Sequence, residues 1–386
     1  MCSRRVLPII PVVLSALAGA VTTAVSSRFA KKNLMQTLVT FVFLFGVMFF
    51  SFQIGQLAEG AGEIISALND RIVAMYYPAR IVAELTQRFE IWEFLKFLAV
   101  NLVVAGAAIA AMGKSYFWIV SRVDSHTGAK KTGKLSYKQH LPSVAIIRKE
   151  IRRYFNTPVL VSNTWVGLAL YLLAVGAICL KVDEIVAMII EEEIPITAEM
   201  VYTYLPTATF GLVVFSSLLT YITTTMISLE GGAFNLLKTL LVSGRRVLMG
   251  KVLASLILTV PALVVGVLAL ALRFGFGAAE TGLLLVATVA IPFVTEMFGI
   301  LIDLHYARFD AESDAEVVKQ STGVMISAFA GLGAVILTIP ISVVVVILVG
   351  QIGGMAIIDG LFLLVAGMLW LVLKKHGEKS YRKLSA

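Results

Sequence analysis

One acid, Glu296, stands inside a long apolar run, and a second, Asp359, stands near the outer end of another. An ionisable side chain at membrane depth is costly and marks a candidate functional position. A lone Glu also serves simply to accept from hydroxyls of a neighbouring helix, and Thr223, Thr224 and Thr225 offer such partners. A second group lies in the stretch 226–252, where Glu230 is followed by Lys238, Arg245, Arg246 and Lys251. Glu230 suits a helix start, so it reads either as a cap or as a coupling residue. The 4 histidines, His126, His140, His305 and His376, fall in loops or the tail with no pair at metal-ligand spacing. Cys2 and Cys179 are too few and too far apart for a disulfide framework or a metal site. No chain of acids and His forms a proton relay, and no His pair, acid pair or Ser/His set occurs within the apolar runs. The phosphate-binding pattern G-x-x-x-x-G-K-[ST] is missing. These residues argue against an enzyme, against a metal or other cofactor, and against ATP hydrolysis by this chain.

The elements that must carry these residues follow from composition. Apolar residues make up 59% of the chain and charged ones 15%, with mean hydropathy +0.91. No soluble domain needs that much apolar surface. A hydrocarbon core about 30 Å thick takes roughly 20 helical residues to cross. Long, non-alternating runs exclude a barrel, because lipid forces backbone groups to pair within each helix. The expected class is an all-α polytopic membrane protein of about nine transmembrane helices with interfacial amphipathic helices. The runs cover 7–27, 34–57, 94–116, 165–180, 201–225, 253–272, 281–301, 323–349 and 356–373. Residues 58–88 mix charge with apolar positions and read as interfacial helix.

The loops are informative. Residues 121–164 hold a Lys/Arg excess; 124–138 reads as a flexible loop. In 143–159, Val144, Ile147, Ile151 and Phe155 fall on one helical face, and Arg148, Lys149, Arg152 and Arg153 on the other. That is a basic amphipathic helix on the cytoplasmic interface, with anionic lipid as its partner and no nucleic acid. Within 226–252, Phe234, Leu237, Leu241 and Val247 keep roughly helical spacing. Two readings of that amphipathic helix stay open: a face offered to another protein, or a helix resting on headgroups.

A cytoplasmic tail puts the loops at 303–322, 226–252, 113–164 and 28–33 on the same side, and each carries Lys and Arg. The loops at 181–200, 273–280 and 350–355 fall outside, the first of them acidic. Arg4 and Arg5 break the pattern. A weak repeat relates 7–45 to 291–329, each with an early Pro and an Arg-Phe pair, Arg28-Phe29 and Arg308-Phe309. On this reading 1–122 is the back half of a first six-span unit whose front three spans are absent from this chain. The rest divides into a basic loop and elbow helix, 123–164, a complete six-span unit, 165–375, and a tail, 376–386.

Three places resemble the permease subunits of ABC transporters of the ABC-2, type-2 exporter kind, in particular large two-unit prokaryotic members. Arg148-Lys149-Glu150-Ile151-Arg152-Arg153-Tyr154-Phe155 through Asn163-Thr164 is similar to the elbow helix before the first span. Ser228-Leu229-Glu230-Gly231, Asn235-Leu236-Leu237-Lys238 and Gly250-Lys251 are similar to the loop between the second and third spans. Asp303, Phe309-Asp310 and Val318-Lys319-Gln320-Ser321 are similar to the later cytoplasmic loop. One departure stands out: the family often has Pro in a Lys-x-Leu-Pro pattern, where Leu241 stands here. The resemblance implies a multi-pass permease in the cell membrane, an exporter driven by an ABC-type ATPase subunit that binds ATP on its behalf, with a second permease chain as a further partner. It implies coupling through Glu230, Phe234, Leu237, Lys238, Arg245 and Lys251, with the elbow residues Arg148, Lys149, Glu150, Arg152 and Arg153 beside them. The alternative is an ion-coupled secondary transporter with no ATPase partner.

Overall fold

The computed structural model describes residues 91–125, 141–191, 197–239 and 242–384, with isolated positions between 19 and 46. The first two expected spans, the 58–88 segment, the loop at 126–140 and Leu241 lie outside the described residues. The chain divides into two compact units, Met1–Tyr137 and Lys138–Ala386. The division falls inside the basic loop, so the elbow helix belongs to the second unit.

Every regular element among the described residues is helical. The first unit contributes α1 (Ile91–Ser125), whose apolar stretch is Phe94–Ala107. Phe97 and Asn101 are buried on it, and Asn101 Nδ2 donates to Phe97 O at 2.9 Å.

The second unit runs α2 (Pro142–Asn156), α3 (Pro158–Thr164), α4 (Val166–Glu191), α5 (Ala198–Thr203), α6 (Leu205–Leu219), two 3₁₀ turns (Thr223–Thr225 and Ser228–Ala233), α7 (Phe234–Thr239), α8 (Gly244–Phe274), α9 (Ala278–His305), α10 (Asp314–Gln320), α11 (Thr322–Val349) and α12 (Gln351–Val372). A π turn (Leu373–Gly377) then leads into α13 (Glu378–Lys383). Among the described residues, 6 helices are long and apolar enough to cross a membrane. They are built on the runs expected at 165–180, 201–225, 253–272, 281–301, 323–349 and 356–373.

Local chemistry sets the boundaries. Pro142 and Pro158 each open a helix, where a missing N–H costs nothing, and Pro158 also stops α2. Backbone angles leave the helical range at Lys181, so α4 kinks there, just before Asp183 and Glu184. Ser321 accepts from Val324 N and starts α11.

Helix α9 is central: it packs against α6, α8, α11 and α12. One apolar cluster joins Leu168, Phe210, Leu263, Leu284 and Met355; a second joins Ile146, Ile227, Phe234, Leu248, Ile300 and Tyr381. The outward positions of α11 and α12 are apolar too, Leu348 at 76% and Leu371 at 61% exposure, as a lipid-facing surface requires.

Three expectations are corrected. The run at 201–225 is not one helix: α5 and α6 are separate, and α6 stops at Leu219. Three successive β-branched threonines, whose hydroxyls compete with the helix ladder, follow the break. The loop expected over 226–252 is shorter: it holds the break at Ser228–Ala233 and the short helix α7, but Gly244 to Lys251 already begin the long α8. Asp303 lies inside α9 rather than in a loop. The tail, whose secondary structure the sequence left open, is helical as far as Lys383, with Tyr381 buried.

Candidate functional site

The elbow helix turns a different face to the protein than its apolar spacing implied. Ile146, Glu150 and Tyr154, at helical spacing, form its buried stripe. Val144 and Phe155 are exposed, on the side left for lipid, and Arg148, Lys149 and Arg152 are exposed as well. Close approach to α8 is possible because residue 250 is glycine: a Cβ there would lie 2.6 Å from Ile146 Cγ2. Burial pushes the Tyr154 phenol well above its ordinary range, so it stays neutral. Its hydroxyl shares a 2.8 Å hydrogen bond with Thr164 Oγ1, tying α2 to α3.

That packing drives Glu150 into a cluster of charges. Lys251 is fully buried and spends all three ammonium protons: on Glu150 Oε1 at 2.9 Å, Glu230 Oε1 at 2.6 Å and Met226 O at 2.9 Å. Lys149 Nζ reaches Glu230 Oε1 at 2.6 Å and Glu150 Oε1 at 3.3 Å. Arg153 Nη1 closes on Glu230 Oε2 at 2.8 Å. Three cations (Lys149, Arg153, Lys251) against two carboxylates (Glu150, Glu230) leave a net charge of +1. Glu150 Oε2 is buried with no partner. The cluster bolts three separate pieces together: the elbow helix, the turn after α6, and the start of α8.

No protein-family model, curated protein or solved structure matches this chain.

The turn itself is held from below by α9. Glu296 Oε2 accepts from Thr223 N at 2.9 Å and Oε1 from Ile222 N at 3.3 Å, and Thr223 Oγ1 donates to Glu296 O at 2.7 Å. Thr223 is thus the partner that the sequence offered Glu296, mostly through its backbone. Two turns further along α9, Asp303 Oδ2 accepts from Ile227 N at 2.5 Å and Ser228 N at 3.2 Å, and Ser228 Oγ donates to Asp303 Oδ1. Ser228 Oγ in turn accepts from Arg308 N at 2.9 Å. A helix break buried in apolar surroundings leaves N–H groups that must find acceptors; here two carboxylates supply them. Gly299, on the same face between the two acids, lets the threonines in: a Cβ would lie 2.6 Å from Thr223 Oγ1 and 2.8 Å from Thr224 Oγ1.

The remaining sequence-derived positions sit elsewhere. Phe234, expected on a docking face, is fully buried, its ring stacked 4.7 Å from Phe309 and edge-on to Tyr381 at 5.2 Å. It is a core aromatic, and Leu237 packs beside the same cluster. The exposed apolar side chain of α7 is Leu236, at 71%. Lys238 Nζ caps the tail helix, donating to Arg382 O at 3.0 Å and Leu384 O at 2.6 Å. Arg245 is exposed; its backbone N donates to Glu378 Oε2 at 2.9 Å. Asp303 and Phe309, singled out in the sequence only as loop motif residues, and Tyr381, not singled out at all, are structural residues whose roles the sequence did not show. Only Asp303 left a signal: it lies two helical turns from Glu296, on the same face. Among the described residues no group of His, Cys, Asp and Glu is placed to hold a metal ion.

Proposed function

We propose that this chain is the membrane-spanning permease subunit of an ATP-driven transporter, an exporter in the cell membrane, worked by a separate ABC-type ATPase subunit. The observation that carries the reading is the buried bridge from Lys251 to Glu150 and Glu230. It makes the elbow helix, the turn and α8 one mechanical piece at the basic end of the bundle. A partner pressing on that end moves α8 with it. Burial of Phe234 shifts the docking surface away from the apolar stripe. The exposed set is Leu236 with Arg148, Arg152, Arg245 and Arg246. A basic surface with one apolar anchor suits an acidic partner with a matching pocket. Affinity isolation from detergent tests the reading: an ATPase is expected to copurify, and to be lost from a variant with Arg245 and Arg246 both changed to Glu. Isolation of the chain without any ATPase, from cells that transport its cargo, overturns it.

A second reading has its own support. The turn between α6 and α7 is a broken, acid-capped segment buried inside the bundle, as ion-coupled carriers use. Transport that survives ATP depletion and stops when the proton gradient is collapsed favours that alternative.

A further inference from the structure

Asp359 lies in the third turn of α12, only 2% exposed, and both of its carboxylate oxygens are buried without a hydrogen-bond partner. It is used by none of the contacts described above. Its neighbours on the helix, Met355 and Ile358, belong to the apolar cluster with Leu284, Ala287 and Ile291 of α9 and Val335 of α11. Helix α12 packs against α6, α9 and α11. Neither α6 nor α11 contains an ionisable residue, and α12 has no other. On α9, Glu280 accepts from Gly277 N, Glu296 from Ile222 and Thr223, and Asp303 from Ile227 and Ser228, while His305 is exposed at the far end. The neighbouring α8 offers Arg273, which is exposed and lies over the Phe274 ring. Among the described residues, neither oxygen of Asp359 has a hydrogen-bond or ion-pair partner on any of these helices.

An ionised carboxylate so placed has neither solvent nor a countercharge, and such a group neutralises instead. We propose that Asp359 is a proton-binding site within the helix bundle, occupied in this conformation. The proton sits on one carboxyl oxygen, and it is released only when α12 moves enough to admit water or a base. The alternative occupant of an acid in this position is a metal cation such as sodium, but a lone carboxylate without further oxygen donors is a poor cage for one. The inference does not depend on how transport is powered.

The test uses the full chain purified in detergent, with Asp359→Asn and Asp359→Leu. Infrared spectroscopy at neutral pH is expected to show a protonated-carboxyl absorption in the natural chain that is lost in both variants. Thermal unfolding midpoints of both variants are expected to match or exceed that of the natural chain, since a neutral or apolar group replaces a neutral one. Should the Asn variant fail to fold, the Leu variant decides by the same two measurements. Unchanged infrared spectra together with lowered midpoints overturn the proposal, because they mean an ionised, paired carboxylate. A midpoint raised by sodium in the natural chain and insensitive to it in Asp359→Asn also overturns it, in favour of a metal cation.

Discussion

Lys251 Nζ stands 2.6 Å from Glu230 Oε1 and 2.9 Å from Glu150 Oε1, with no exposure to solvent. A buried pair of this kind contributes little net stability against an apolar replacement of the whole set, but removing one partner is severe. Lys251→Met removes the fully buried cation of the cluster, leaving Glu150 and Glu230 to the partly exposed Lys149 and Arg153, and is expected to cost about 3–5 kcal/mol. The midpoint of thermal unfolding in detergent reads the loss. Adding Glu230→Gln to Lys251→Met should recover part of it, so the two changes are not additive.

Phe234 carries a different expectation than its place in a loop implied. Phe234→Asp puts a charge between Phe309 and Tyr381 and should abolish folded protein rather than uncouple it. Phe234→Leu, which keeps most of the apolar volume, should cost much less than the roughly 3–5 kcal/mol of Phe→Ala in a core. Leu236→Asp, at an exposed site, should leave the unfolding midpoint unchanged and reduce recovery of the copurifying ATPase.

Asp303 is expected to be the more sensitive of the two caps on the turn. Asp303→Ala strands the N–H groups of Ile227 and Ser228, at about 1–3 kcal/mol for each buried donor left unpaired. Asp303→Asn keeps one acceptor and should be milder. Amide hydrogen exchange at residues 227 and 228 should quicken in the Ala variant before exchange elsewhere in α9 does.

Gly250 is a steric requirement. Gly250→Leu collides with Ile146 and should loosen the elbow helix from α8, lowering the unfolding midpoint by the equivalent of about 1–3 kcal/mol. A compensating Ile146→Ala in Gly250→Ala should restore much of the loss that Gly250→Ala alone produces. Equal and additive losses would show that the two residues do not press on each other.

Most of the second unit's helices were legible because lipid imposes a simple code: about 20 apolar residues, few charges, polar punctuation. The 31 residues of α8 hid part of their helix, since Arg245, Arg246 and Lys251 read as loop. Charge pattern placed five of the residues that meet in the ion cluster, Lys149, Glu150, Arg153, Glu230 and Lys251, without showing that they meet. Their pairing depends on which stripe of the elbow helix faces inward, and Gly250 decides that, not periodicity. Phe234 was misread for a related reason. Its spacing suits an exposed stripe, yet Phe309 and Tyr381, distant in sequence, cover it.

Pro261 interrupts α8 near its middle, and a proline inside a helix removes one rung of its hydrogen-bond ladder. The rod therefore has two arms, about 26 Å before the proline and about 21 Å from it onward, at 1.5 Å per residue. A tilt of about 5° pivoting on the ion cluster at Lys251, about 15 Å from the proline, displaces the first arm's end by roughly 1.3 Å, about a quarter of a helical pitch. Whether the second arm follows is then a property of the one missing rung, and restoring it with alanine at 261 is the way to make both ends travel together.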